Sequence, residues 1–231
     1  MIIKKVNDKK QGSQLAAELF VELSNLSPIK PVGLATGETM RGVYKQIAEL
    51  GFKPSFKDAF ALDEYFGIEK TNPNSYFFEL TQIFSEQLGW QGRLHVPGQD
   101  DYSGDDGAEK FEESIQNLGP LSVQLLGLGT NGHIAFNEPG SKFESVTRVV
   151  DLHEETRIAN SRFFENIDDV PKKAMTQGLS TINRADALLL LVFGDSKLEA
   201  LKKALESSGE QTPLAAIKDH QHLTLITDLD L

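Results

Sequence analysis

Two runs, residues 121–128 and 187–192, are apolar at nearly every position and then break into glycine. A strand with one face in water alternates apolar and polar residues, whereas a strand covered on both faces does not. These two runs therefore belong inside a parallel sheet with helices on both sides. Shorter apolar strands fall at residues 31–35, 59–62 and 222–227. Helical spacing lies between them. Leu15, Leu19, Phe20, Leu23 and Leu26 mark a helix over residues 8–26, and Val43, Tyr44, Ile47 and Leu50 mark a second, stopped by Gly51. Asn72-Pro73 reads as a cap and first-turn proline opening a helix to Leu88. Further helices cover residues 106–118 and 197–205.

The expected fold is α/β: a doubly wound, mainly parallel, Rossmann-like sheet with helices on both faces, in one domain over residues 1–231. Residues 148–179 fit this scheme least. They are polar, hold Arg148, Arg157 and Arg162, and lack a strand–helix rhythm. A lid insertion and a plain surface excursion are the two readings.

With 34 acidic against 23 basic side chains the net charge is −11. That sign argues against a nucleic-acid partner, whose phosphates need a basic face. A small phosphorylated ligand needs only a few local cations and remains compatible. The chain has no cysteine, which rules out disulfides, thiolate catalysis and cysteine-bound zinc. Residues 1–6 hold too short an apolar run for a signal peptide, and no segment reaches the length of a membrane span. The expected location is cytoplasmic.

Four stretches with reactive side chains each follow a strand, and a parallel sheet brings such stretches to one edge. In the richest, residues 126–139, a buried strand ends in glycines and His133 and Glu138 follow five residues apart. Glycines permit sharp turns and close approach of a ligand, and His and Glu are suited to moving protons near neutral pH. Asn131 or Glu138 is placed to fix the His133 tautomer through its second ring nitrogen; the plainer alternative is a loop histidine bonded only to backbone. No second histidine or acid stands nearby at metal-ligand spacing, so no metal site is expected.

Thr36-Gly37-Glu38-Thr39 lies between a strand and a helix, where free N–H groups and hydroxyls form a phosphate cradle. The plainer alternative is a tight turn with Thr39 as N-cap. Glu38 must point away from a bound phosphate. Asp63-Glu64 closes the 59–62 strand. Successive strand side chains point opposite ways, so one acid faces the site while the other is solvated or paired with a cation. Lys197 and Arg162 are either anion-holding cations or solvated surface charges.

Together, Gly33-Leu34-Ala35-Thr36-Gly37, Leu62-Asp63-Glu64-Tyr65, the run from Gly127 through Asn131-Gly132-His133 to Asn137-Glu138-Pro139, Asn160-Ser161-Arg162-Phe163-Phe164 and Gly194-Asp195-Ser196-Lys197 resemble the glucosamine-6-phosphate deaminase (isomerase) family over nearly the whole chain. The resemblance implies conversion of glucosamine 6-phosphate and water to fructose 6-phosphate and ammonia, in amino-sugar (N-acetylglucosamine) catabolism, with no metal or organic cofactor. It implies that His133, oriented by Glu138, opens the sugar ring. Asp63, desolvated beneath a closed lid, would carry the proton from C2 to C1. Thr36, Gly37, Glu38, Thr39, Arg162 and Lys197 match the family's phosphate site, and Ala35, Glu64, Gly129 and Gly132 its substrate pocket.

The chain departs from the family's pattern at three places. Asn131 stands where many members have Asp, which makes His133 less basic. The phosphate loop reads Gly-Glu-Thr-Met where Gly-Gly-Thr-Pro is usual, leaving Glu38 and Met40 unexplained. Arg148 matches one residue of the allosteric site of the hexameric members, but Val150 replaces the expected lysine and the chain ends earlier, at Leu231. A monomer without allosteric control is the expectation. Two rival functions stay open. A 6-phosphogluconolactonase resembles this family in fold and Gly-His loop but needs no base at position 63. A sugar-phosphate-sensing domain of a transcription regulator need not keep Asp63, His133 and Glu138 together.

Overall fold

The computed structural model describes residues 1–207 and 209–231. Its strands are β1 (Ile2–Lys5), β2 (Val32–Leu34), β3 (Asp58–Ala61), β4 (Asp63–Tyr65), β5 (Arg93–His95), β6 (Gln124–Gly127), β7 (Arg148–Asp151), β8 (Lys173–Thr176), β9 (Leu188–Val192) and β10 (Leu223–Thr227). The α-helices are α1 (Lys9–Leu26), α2 (Glu38–Glu49), α3 (Tyr76–Leu80), α4 (Gly107–Leu118), α5 (Glu154–Asn160), α6 (Leu179–Asn183), α7 (Leu198–Glu206) and α8 (Pro213–Ile217). Among the described residues, seven strands form a parallel sheet in the order β1-β10-β9-β6-β2-β3-β5. β9 is buried at every position, as a strand covered on both faces must be.

Helix α1 starts where Asp8 Oδ1 accepts from Gln11 N at 2.8 Å, an N-cap bond, and it buries Ala16, Ala17 and Phe20. Helix α2 buries Met40, Val43, Tyr44 and Ile47, spaced to form one stripe. Each large side chain so buried stabilises the fold by about 1.5–3 kcal/mol relative to exposure. Gly37, at φ +100°, is the N-cap of α2, so Thr39 sits inside the first turn and is not the cap. Asn72-Pro73 also differs from expectation. Asn72 Oδ1 accepts from Asn74 N at 2.9 Å to close a local turn, and α3 begins only at Tyr76, capped by Ser75.

A second, antiparallel sheet joins β4, β8 and β7, where one sheet was expected. Two of its strands come from residues 148–179, the stretch without visible rhythm. Leu62 is the pivot between the sheets. Its N–H donates to Leu34 O at 3.0 Å, continuing the main sheet, while its carbonyl accepts from Gln177 N at 2.8 Å. Asp63 therefore does not close β3; it opens β4, opposite Thr176.

Strand order fixes where a ligand belongs. From β2 the chain steps to β3 and β5 on one side, then returns to β6 on the other side of β2 and continues to β9 and β10. The connections after β2 and β6 diverge, and such a switch point opens a crevice at the carboxyl ends of the strands. No helix among the described residues is long and apolar enough to cross a membrane.

Candidate active site

Four adjacent strands, β9-β6-β2-β3, deliver the reactive stretches in spatial order. Lys197 follows β9, His133 follows β6, the Thr36–Thr39 loop follows β2, and Asp63 follows β3 across Leu62. Stretches far apart in sequence thus meet around the switch point.

The His133 imidazole is held on one nitrogen. Asn131 Nδ2 donates to Glu138 Oε2 at 2.7 Å, which turns Asn131 Oδ1 toward the ring, 2.7 Å from Nδ1. An amide oxygen only accepts, so Nδ1 carries the hydrogen and Nε2 presents its lone pair. Glu138 does not bond the ring directly; its nearest oxygen lies 3.9 Å from Nδ1. It acts one step behind Asn131, and Thr156 Oγ1 of α5 donates to its other oxygen at 2.7 Å. Burial lowers the His133 pKa; the nearby Glu138 charge opposes this and Lys197 adds to it. The ring is therefore neutral at pH 7. Gly129 is required beneath it, because a Cβ there would stand 2.3–2.4 Å from Cε1, Nδ1 and Nε2. Gly132, at φ +89°, makes the turn that returns the chain over Gly129, its N–H donating to Gly129 O at 3.0 Å.

Asp63 is 8% exposed, and among the described residues no hydrogen-bond donor reaches its carboxylate. Burial, with the neighbouring Glu64 charge, pushes its pKa up from 3.8 to about 8. Glu64 is fully buried and faces elsewhere. Its oxygens accept from Tyr65 N and from Phe77 N in the first turn of α3, each at 2.9 Å. Among the described residues it is thus neither solvated nor paired with a cation, contrary to the expectation from the sequence. Burial raises its pKa to about 7 despite those bonds.

The Asp63 and His133 segments are laced together by residues whose part the sequence did not reveal. Asn137 Nδ2 donates to Ile134 O at 3.1 Å and Gln177 O at 2.8 Å, while Arg148 donates to Asn137 Oδ1 at 2.9 Å. Gln177 Nε2 reaches Ala61 O at 2.9 Å, just before the pivot. Phe136 N donates to Thr176 Oγ1, the partner position of Asp63. An aromatic group of Tyr65, Tyr76, Phe136 and Phe164 fills the space between these segments and residues 152–172.

In the cradle, the N–H groups of Glu38 and Thr39 open α2 with no preceding helical acceptor. The Thr36 and Thr39 side chains flank them, half-buried. Tyr44 fixes Ala35 from below: its hydroxyl donates to Ala35 O at 2.7 Å and accepts from Ala35 N at 3.1 Å.

Comparison with known proteins identifies the family. A family model described as glucosamine-6-phosphate isomerases/6-phosphogluconolactonase matches residues 12–226. The chain belongs to this family. Glucosamine-6-phosphate deaminase 1 of Bacillus subtilis (strain 168) is 40% identical over 224 residues, covering 94% of this chain and 92% of that protein. Glucosamine-6-phosphate deaminase of Staphylococcus aureus (strain MRSA252) is 37% identical over 236 residues, covering 99% and 93%. A solved monomeric glucosamine-6-phosphate deaminase superposes with a TM-score of 0.91 at 37% identity, covering 98% of this chain and 97% of that one. The 6-phosphogluconolactonase of Leishmania guyanensis, at 19% identity and a TM-score of 0.72, shares the fold.

Within the glucosamine-6-phosphate isomerase/6-phosphogluconolactonase family, the unusual residues of this chain's loop acquire physical roles. Met40 is buried, its Cε 3.8 Å from where a Gly127 Cβ would lie, and so packs under the end of β6. Glu38 points outward to Lys9, with Nζ–Oε1 at 3.4 Å. Lys197 is half-buried, which lowers its pKa, and the Lys9 charge lowers it further. Arg162 is exposed, with its guanidinium 4.7 Å from the Phe163 ring; no contact joins it to the cradle among the described residues. Among those residues, too, no three His, Asp or Glu side chains cluster as metal ligands. A cavity of about 580 Å³ lies between residues 66–74 and 164–171. Its lining includes Glu69, Glu165 and Asp169 but none of the candidate residues, so its charge and place exclude it as the phosphate site.

Proposed function

We propose that this protein deaminates and isomerises glucosamine 6-phosphate to fructose 6-phosphate and ammonia, with Asp63 and His133 as its proton-transfer groups. One observation carries the reading. A desolvated carboxylate without donors and an imidazole with a free Nε2 leave adjacent parts of the sheet, on either side of a loop built like an anion cradle.

The phosphate dianion docks on the N–H groups of Glu38 and Thr39, the Thr36 and Thr39 hydroxyls and Lys197, with Gly37 giving the turn. Its binding energy orients the sugar. His133 Nε2 takes the proton of the anomeric hydroxyl and returns it to the ring oxygen, opening the ring. Glu138, 3.9 Å behind, supports the transient imidazolium. Asp63 removes the C2 proton while the substrate's ammonium gives one to O1, forming an enolamine, and Asp63 then delivers its proton to C1, leaving a C2 iminium. Water adds at C2 and ammonia leaves, which gives the ketose. Ala35, Gly129 and Gly132 let the sugar approach the backbone closely, and Glu64 sets the direction of Asp63 by tying β4 to the first turn of α3.

Residues 152–172 form the lid in this reading, tied to the site through Thr156 and Phe164, with Arg162 turning to the phosphate on closure. Arg148 is committed to Asn137, which favours a monomer without an effector site. The substrate's phosphate charge keeps it from crossing a bilayer core unaided, so sugar phosphate formed inside a cell stays there, which supports a cytoplasmic reaction.

The test is to mix the pure protein with glucosamine 6-phosphate and follow ammonia, with 6-phosphogluconolactone hydrolysis assayed in parallel. Ammonia release with equimolar fructose 6-phosphate is expected. Lactone hydrolysis without ammonia would replace this reading by the lactonase one, and tight sugar-phosphate binding with neither reaction by a sensor.

A further inference from the structure

Helix α1 has its acid at the N-cap, Asp8, and only cations directly behind it. A helix N-terminus favours acids, yet the first turn of α1 has none and opens with Lys9-Lys10. Lys9 sits where α1 is wedged between the two loops assigned above to the phosphate. On one side, a Cβ on Gly12 would stand 2.3 Å from the Phe193 ring, so α1 presses on the end of β9 just before Gly194 and Lys197. On the other side, a Cβ on Gly42 would stand 2.8 Å from Ser13 Oγ, so α1 also presses on α2. Lys9 Nζ reaches Glu38 Oε1, on the first residue of α2, at 3.4 Å.

Two features make that ion pair a resting place. Both partners are exposed, at 42% and 79% of their side-chain surface, so parting them costs little. Lys197, half-buried nearby, has no carboxylate partner among the described residues and feels the Lys9 charge. Lys9 and Lys197 thus converge on the start of α2, where Glu79 is already committed to Gly37 N at 3.3 Å and Arg41 Nε at 3.0 Å, which leaves Glu38 as the mobile carboxylate that Lys9 can exchange for an anion.

We propose that Lys9 is a third binding cation of the phosphate subsite, resting on Glu38 in the free protein and moving to the substrate's phosphate dianion when it binds. The proposal rests on the functional reading above and adds to it an affinity determinant outside the loop.

The test measures ammonia release by wild type, Lys9→Ala, Lys9→Gln and Lys9→Arg, and repeats Lys9→Ala in a Glu38→Gln background. Calorimetry follows inorganic phosphate binding to each protein. Lys9→Ala and Lys9→Gln should each raise KM about tenfold, the loss of one exposed charge contact, with kcat within about twofold. Phosphate binding should weaken in parallel, and Lys9→Arg should restore most of it. The increase in KM should persist in the Glu38→Gln background. An unchanged KM, or an effect that vanishes once Glu38 is neutral, overturns the proposal; the latter would mean that Lys9 only screens Glu38. If wild type releases no ammonia, the functional reading has failed, and the phosphate-binding arm still decides Lys9.

Discussion

Replacing Gly129 by alanine isolates the orientation of the His133 imidazole from the chemistry proposed for it. The added Cβ would lie 2.3–2.4 Å from three ring atoms of His133, whereas carbon contacts are comfortable only at about 3.5–4.0 Å. The ring must therefore swing away by about 1 Å or more. That motion breaks the 2.7 Å bond from Nδ1 to Asn131 Oδ1 and points Nε2 elsewhere. A displacement of about 1 Å at a reacting group costs on the order of 100-fold in rate. Folding should suffer little, because Gly129 keeps an ordinary negative φ and the obstruction is the tip of a side chain with room to move. Steady-state ammonia release should show kcat down about 100-fold with KM within about threefold. Urea unfolding should change by less than about 1 kcal/mol. A soluble Gly129→Ala protein with kcat within threefold of wild type would refute the placement of His133 at the reaction centre.

Asp63→Asn should also report on stability. The folded pKa of Asp63 lies above its unfolded value, so the fold binds that proton more tightly and loses stability as pH rises from 3.8 through about 8. The amide of the variant does not titrate in this range. Asp63→Asn should match wild type near pH 4 and exceed it at pH 9 by several kcal/mol, with about 5–6 kcal/mol as a ceiling at 1.36 kcal/mol per pKa unit; equal thermal stability at pH 9 contradicts the burial of a charge. Asn131→Asp places a carboxylate on Nδ1 and should raise the His133 pKa, read from imidazole proton shifts; an unmoved titration would contradict the Asn131 contact. Asn137→Ala strips acceptors and donors from a buried junction and leaves Arg148 unpaired. It should cost about 2–4 kcal/mol in urea unfolding and lower kcat as well. Scattering on the purified protein should give the mass of one chain, 25.5 kDa; a stable hexamer would overturn the monomer proposal.

The parts of this molecule that could be read in its sequence are those with local physical signatures. Continuous apolar runs announced β6 and β9, and Asp8 and Gly51 bounded the first two helices. The second sheet was invisible because β4, β7 and β8 are three or four residues long and mix Asp, Glu, Arg and Lys with apolar residues. β1, exposed at all four positions, lacks a burial pattern for the same reason. At the site, the glycine–histidine loop stood out, and Glu138 was correctly set beside His133 but one bond too near. Gln177 gave no signal at all. Its bonds run to backbone carbonyls, one of them 116 residues away, and a backbone acceptor leaves no mark on residue identity. Lys9 escaped attention because a lysine in a polar helix start looks ordinary until its neighbours from other strands are known.

The central claim is that the buried Asp63 carboxylate moves the C2 proton, and isotope chemistry tests it directly. Glucosamine 6-phosphate deuterated at C2 is given to wild type and to Asp63→Asn, and loss of the label is followed by NMR alongside ammonia. Wild type should clear the C2 deuterium as product forms, while Asp63→Asn, still folded and still binding inorganic phosphate, should do so about 1000-fold more slowly or not at all. Deuterium loss in Asp63→Asn within tenfold of the wild-type rate would show that another group carries that proton.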